Sequence, residues 1–166
     1  MDLLVVIIIL FIIYFIQRRF WINKLEEIGK YSYKKVSTGF IDLIFFLHLL
    51  LFIVYFTYTQ FERSDSVSYW EFTRQTGSWF FWWGTDTRFI HFLVWPFASF
   101  MQLSYASCML IFSYLGLQGV LLFYFAAKEN IRSLNGVYGN YTIIELVFLL
   151  PNLHFWSNSI GKGAVM

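Results

Sequence analysis

The chain has one cysteine (Cys108) and two prolines among its 166 residues. A single thiol excludes a disulfide scaffold and leaves the redox compartment unread. Charge is scarce as well, at 13% of residues, where a soluble domain carries about 25%. The net charge of +2 is too small and too scattered for a nucleic-acid footprint, so no nucleic-acid partner is expected. Absent too are a Cys/His cluster, a P-loop and a GxSxG turn, and His48, His91 and His154 do not have zinc-ligand spacing. No cofactor motif is evident, and the sequence leaves a divalent metal requirement open.

What is abundant is apolar surface. Hydrophobic residues make up 58% of the chain and aromatics 23%, with 21 Phe, 11 Tyr and 7 Trp, and mean hydropathy is +0.60. A core able to hide so much apolar area does not fit in a chain of this length, so a bilayer must act as solvent for part of it. Phe suits the hydrocarbon, while Trp and Tyr suit the two interfaces. The expected fold is all-α: a polytopic transmembrane helical protein of about four spans, forming one membrane domain over residues 1–166. A fifth span would begin at the C-terminal end.

Residues 2–17 give the first expected span. The apolar run from Leu3 to Ile16 makes roughly 21 Å of helix, short of a roughly 30 Å core, and snorkelling arginines extend it. A cleaved signal peptide would carry positive charge before the apolar stretch; here Asp2 precedes it and Arg18 and Arg19 follow. A retained helix with its N-terminus outside is therefore expected. Residues 17–35 hold six Lys/Arg against Glu26 and Glu27, the strongest cytoplasmic signal in the chain. The second span is expected over 40–59. Residues 60–88 form an outside loop in which Glu62, Asp65, Glu71 and Asp86 face Arg63, Arg74 and Arg88. Its Tyr69, Trp70, Trp79, Trp82 and Trp83 should hold it along the interface.

Residues 89–127 are nearly free of charge, and one helix of that length would be nearly 60 Å, about twice the membrane. Pro96 divides the stretch into an interfacial or re-entrant segment (89–101) and a third span (103–127). Ser104, Ser107, Gly116 and Gly119 offer close-packing positions within that span. A short basic turn (128–140) reads as cytoplasmic, and the fourth span is expected over 141–156. Charge placement thus puts residues 18–35 on the cytoplasmic side of a membrane and the N-terminus and residues 60–88 outside.

Candidate chemistry lies mostly in the outside loop. A carboxylate such as Asp65 or Glu71 beside aromatics and lipid is partly desolvated, which suits it to general-base work. Arg88 and Lys162 could hold a phosphate at the membrane surface. Glu145 is a costly acid close to the hydrocarbon, facing a cavity or partner or lying at the interface. The stretch Phe155 to Gly163, with two Gly and Lys162 among small polar residues, could wrap an anion with backbone N–H groups or be a plain turn. His48 and His154 read as packing or helix–helix hydrogen-bonding residues.

Three stretches carry a resemblance: Asp65-Ser66-Val67-Ser68-Tyr69; Gly84-Thr85-Asp86-Thr87-Arg88-Phe89; and Leu149-Leu150-Pro151-Asn152-Leu153-His154-Phe155-Trp156-Ser157-Asn158-Ser159-Ile160-Gly161-Lys162-Gly163. Together they resemble multi-spanning bacterial polysaccharide polymerases of the EpsG/Wzy type, and the third is the most specific. The resemblance implies a glycosyltransferase acting on an undecaprenyl-diphosphate glycan at the outer face of the bacterial cytoplasmic (inner) membrane. In that setting Asp65 would activate the acceptor hydroxyl, and Arg88 and Lys162 would steady the diphosphate. Tyr69, Glu71 and Ser157 would line the substrate site. Where the family pattern often has an acid after its Lys, this chain has Gly163. Such proteins are two or more times longer, so the chain is expected to be part of a longer polypeptide. The competing expectation is a non-catalytic subunit of a larger membrane assembly, with other membrane subunits and lipids as partners. A transporter fragment, motivated by Glu145 and Pro151, is the third.

Overall fold

The computed structural model describes residues 2–30, 39–62, 64–75, 77–130, 137–138 and 141–165. Lys34 and Lys35 of the basic stretch, Arg63 and Arg132 lie outside the described residues. Three helices are long and apolar enough to cross a membrane: Asp2–Lys24 of α1 (Asp2–Lys30), α2 (Gly39–Phe61) and α5 (Tyr105–Asn130). The protein is a multi-pass, membrane-embedded helical protein.

The side-chain contacts fix how these helices run. At one end Asp2 accepts hydrogen bonds from the Ser104 backbone N–H (2.7 Å) and the Ser107 hydroxyl (3.0 Å). At the other end Trp21 stacks on Phe125 and Lys24 pairs with Glu129. α1 and α5 are therefore parallel. α2 runs against them, with Asp42 at its start bound to Arg18 and Phe56 near its end beside Tyr105. Everything between α2 and α5 consequently stays at one end of the bundle, here the loop end. Lys24, Asp42 and Lys128 mark the opposite, basic end.

Only 6% of the crossing window of α1 is buried by the rest of the protein. Lipid tails compete well with apolar side chains, so hydrophobicity alone does not hold a helix to its neighbours in a bilayer. Polar clamps do the holding at three levels. Besides Asp2, Gln17 accepts from the Tyr114 hydroxyl (2.5 Å), and Asp42 takes two short bonds from Arg18 (2.6 Å each) plus one from Tyr14 (2.8 Å).

The loop end is built from α3 (Asp65–Arg74), a 3-10 turn (Trp79–Trp82), α4 (Thr87–Trp95) and a π-helical turn (Pro96–Phe100). Ser64 caps α3, its hydroxyl accepting from the Ser66 N–H (3.2 Å). Asp65 in the first turn and Arg74 in the last complement the helix dipole. The expected division at Pro96 is found: proline cannot donate the bond that would continue α4 regularly, and the ladder widens so that Met101 N–H reaches the Pro96 carbonyl (3.0 Å).

The stretch 141–156, expected as one span, is not one helix. Val137–Tyr138 (β1) and Tyr141–Thr142 (β2) pair antiparallel, a short departure from an all-helical chain. Then come α6 (Ile143–Phe148), α7 (Pro151–Ser157) and α8 (Lys162–Val165). Pro151 is the reason for the first break. The residue before a proline is pushed out of the helical region, and Leu150 is extended at φ −63°, ψ 122°.

The three short helices climb the bundle. Thr142 bonds Lys128 at the basic end (3.0 Å), His154 meets His48 in the middle (3.0 Å), and the Ile160 N–H reaches Ser66 at the loop end (3.1 Å). Gly116 permits this path, because a Cβ there would lie 2.1 Å from the Ser157 carbonyl oxygen. A Cβ added at Gly119, by contrast, would meet nothing within 4 Å, so that glycine is not a packing position.

Candidate functional site at the loop end

Two stretches more than ninety positions apart converge here. Ser66, on the buried face of α3, accepts from the Ile160 N–H (3.1 Å) and from the Tyr105 hydroxyl (3.2 Å). One turn further along α3, Tyr69 lies against Gly161, where an added Cβ would come within 3.8 Å of its ring. Residues 65–69 and 157–163, singled out separately in the sequence, thus share one wall.

On its other side Tyr69 meets His91 of α4, edge to face at 5.2 Å. The Thr73 hydroxyl donates its one proton to the Tyr69 carbonyl (2.5 Å), so the contact between Thr73 Oγ1 and His91 Nδ1 (2.8 Å) has the histidine as donor. This fixes the proton on Nδ1. Trp82 stacks on the same imidazole at 4.2 Å. Its own indole N–H is buried and has no hydrogen-bond partner among the described residues.

Burial pushes the His91 pKa down, opposed by a bond to the Tyr69 carbonyl. Below its ordinary value of 6.5, the ring is neutral at pH 7. Burial, then the Asp65 charge, pushes the Tyr69 hydroxyl up, so it stays protonated. A neutral imidazole with a fixed tautomer beside a phenol donor can relay a proton. His91 is not among the site residues expected from the sequence. The available signal is its spacing three residues after Arg88, which puts both on one side of a helix.

The other expected site residues are dispersed. Asp65 and Arg88 are both exposed, in the first turns of α3 and α4, and no hydrogen bond or ion pair among the described residues joins them. Asp86, just before α4, has φ 59°, a left-handed turn that sets Arg88 at the helix start. Glu71 is exposed. Ser157 is buried and its hydroxyl donates to its own helix, at Leu153 O (3.0 Å) or His154 O (3.1 Å). The backbone at Lys162 opens α8, and its side chain lies outside the described residues.

Glu145 is at the opposite end. It completes a capping box with Thr142, accepting from that N–H at 2.6 Å, and it pairs with Lys128 at 3.2 Å. An acid so engaged stabilises the start of α6 and is remote from the loop end. A groove of about 330 Å³ between α1, α2 and α5 is lined by apolar side chains such as Leu10, Phe11, Phe45 and Phe52, and offers little for polar chemistry. Among the described residues no three His, Cys, Asp or Glu side chains are grouped to hold a metal ion.

The class these features define is a multi-pass helical membrane protein with a polar, aromatic-walled site at one end. Comparison with protein-family models, with curated proteins and with solved structures finds no match to this chain.

Proposed function

We propose that the chain belongs to a membrane glycosyltransferase of the polysaccharide-polymerase type, acting on a polyprenyl-diphosphate-linked glycan. The observation that carries this reading is the meeting of Ser66 and Tyr69 with Ile160 and Gly161. Two of the three stretches on which the resemblance rests come together at one end of the bundle. A substrate carried on a lipid anchor is presented at such a membrane-proximal end, among Trp79, Trp82 and Trp83.

In this reading α6, α7 and α8 make a fourth crossing in pieces. Irregular backbone is tolerated at membrane depth where protein buries it, and Ile160 is 1% exposed. The loop end faces away from the cytoplasm of a bacterial inner membrane, because the six basic residues of 17–35 favour the cytoplasmic side. Asp65 and His91 supply acid–base chemistry to the acceptor hydroxyl. Arg88 and Lys162 steady the diphosphate leaving group.

Polymerisation of lipid-linked repeat units by the protein in proteoliposomes tests this. Product should fall at least tenfold in Asp65→Ala and in Arg88→Ala, and unchanged product in both ends the proposal.

One observation favours a second reading: Asp65, Glu71 and Arg88 are exposed, and among the described residues no ion pair joins them. They would suit contacts with other subunits of a membrane complex. Purification in mild detergent separates the readings, since a subunit returns with stoichiometric partners.

A further inference from the structure

In the middle of the bundle, remote from the loop-end site, four side chains close a ring across three helices. His48 of α2 is 2% exposed and His154 of α7 is fully buried. Their Nδ1 atoms face each other at 3.0 Å. His48 Nε2 faces the Ser113 carbonyl oxygen of α5 at 2.9 Å, and His154 Nε2 faces the Phe148 carbonyl oxygen at the end of α6 at 2.7 Å. Asn158 joins the two histidines from below, its amide donating to the His48 carbonyl (3.2 Å) and the His154 carbonyl (2.7 Å). The Ser113 hydroxyl donates to the Asn158 amide oxygen and closes the ring.

The hydrogens of this ring do not add up with two neutral imidazoles. A carbonyl oxygen only accepts, so each Nε2 must carry a proton to make its bond. The contact between the two Nδ1 atoms needs a third proton, because two unprotonated nitrogens at 3.0 Å would set lone pair against lone pair. Two neutral imidazoles carry one ring proton each. Turning either ring over does not remove the deficit. It would place a carbon at 2.7–2.9 Å from a carbonyl oxygen, closer than the 3.3–3.6 Å usual for C–H···O contacts.

We infer that His48 and His154 form a buried binding site for one excess proton, held between their Nδ1 atoms.

The surroundings say what the site can and cannot draw on. From α5 come Ser113 and Tyr114, the latter donating to Gln17. Glu145 of α6 is engaged by Lys128 and Thr142 at the basic end, and Tyr14 of α1 by Asp42. No carboxylate bonds either ring among the described residues. The cation is therefore balanced by carbonyl dipoles alone, and burial opposes it. What retains the proton is the geometry: its loss leaves two acceptors opposed inside a network whose other members are already paired. Because α7 leads into residues 157–163, the proton also ties the middle of the bundle to the wall of the loop-end site.

Nitrogen-15 NMR of histidine-labelled protein in lipid nanodiscs at pH 7 reads the count directly. The His91→Gln variant removes the third histidine, so the remaining ring signals belong to this pair. Three protonated ring nitrogens for the two rings, with a coupling across the Nδ1 contact, is the expected result. Two protonated nitrogens for the two rings would overturn the inference. If His91→Gln does not fold, the wild-type spectrum keeps the test: five protonated ring nitrogens if its His91 signal is that of a cation, four if it is neutral, against one fewer in either case without the excess proton.

Discussion

Replacing Gly116 with alanine tests the packing that lets the C-terminal part of the chain climb through the bundle. A Cβ at 116 would lie 2.1 Å from the Ser157 carbonyl oxygen and 3.0 Å from the Ser157 Cβ, where 3.4–4 Å is ordinary contact. The obstacle is backbone, which cannot rotate away as a side-chain tip can. α7 would have to retreat by roughly 1 Å or more in a close-packed interior. Overpacking of this kind costs about 1–3 kcal/mol, and the upper part of the range applies because His154 and Asn158 move with Ser157. For a protein of this size that corresponds to a midpoint lower by about 2–4 °C per kcal/mol. Gly119→Ala, three residues along the same helix in open space, is the matched control. There the better helix propensity of alanine gives up to about 1 kcal/mol in the other direction. Thermal unfolding of both variants in the same detergent should lower the midpoint for Gly116→Ala and leave or raise it for Gly119→Ala. Equal midpoints would show that α7 does not lie against Gly116.

Two further outcomes follow from buried charge and from burial of a histidine. Glu145→Gln leaves the nearly buried Lys128 ammonium without its counter-charge and should cost about 3–5 kcal/mol; adding Lys128→Met should recover most of it in the same unfolding assay, and a single variant as stable as the parent would contradict the pairing. Native His91 binds a proton less readily than it does in the unfolded chain, where its pKa is 6.5. Its contribution to stability is therefore present above pH 6.5 and lost as pH falls toward the depressed native value. Unfolding midpoints between pH 7.5 and 5 should fall more steeply for the parent than for His91→Gln, and parallel curves would place His91 in water.

Much of the helical frame is legible in the sequence because hydropathy reports what fits a bilayer. The second span, expected over 40–59, falls on a helix long and apolar enough to cross, Gly39–Phe61. The first, expected to end at residue 17, continues as α1 to Lys30. Arg, Lys and Glu are good helix formers, so the helix outlasts its apolar run. The fourth stretch misleads because residues 141–156 are mostly apolar, while the break comes from one proline acting on Leu150. Ser104 and Ser107 look like small packing residues, yet in the fold they hold Asp2. Of the site, the local motifs are visible in the sequence but their meeting is not. Ser66 and Ile160, or His48 and His154, are joined only by the fold, and no periodicity in the sequence records a contact over such a separation.

Both the loop-end site and the histidine pair depend on the return of the chain to the loop end. Disulfide trapping in native membranes measures it, with Ser66→Cys and Ile160→Cys introduced together in a Cys108→Ala background. The pair should cross-link readily under mild oxidation, while Ser66→Cys with Thr142→Cys should not. Cross-linking of 66 to 142 and none of 66 to 160 would mean that residues 141–165 never cross the bundle, and the loop-end site would lose one of its walls.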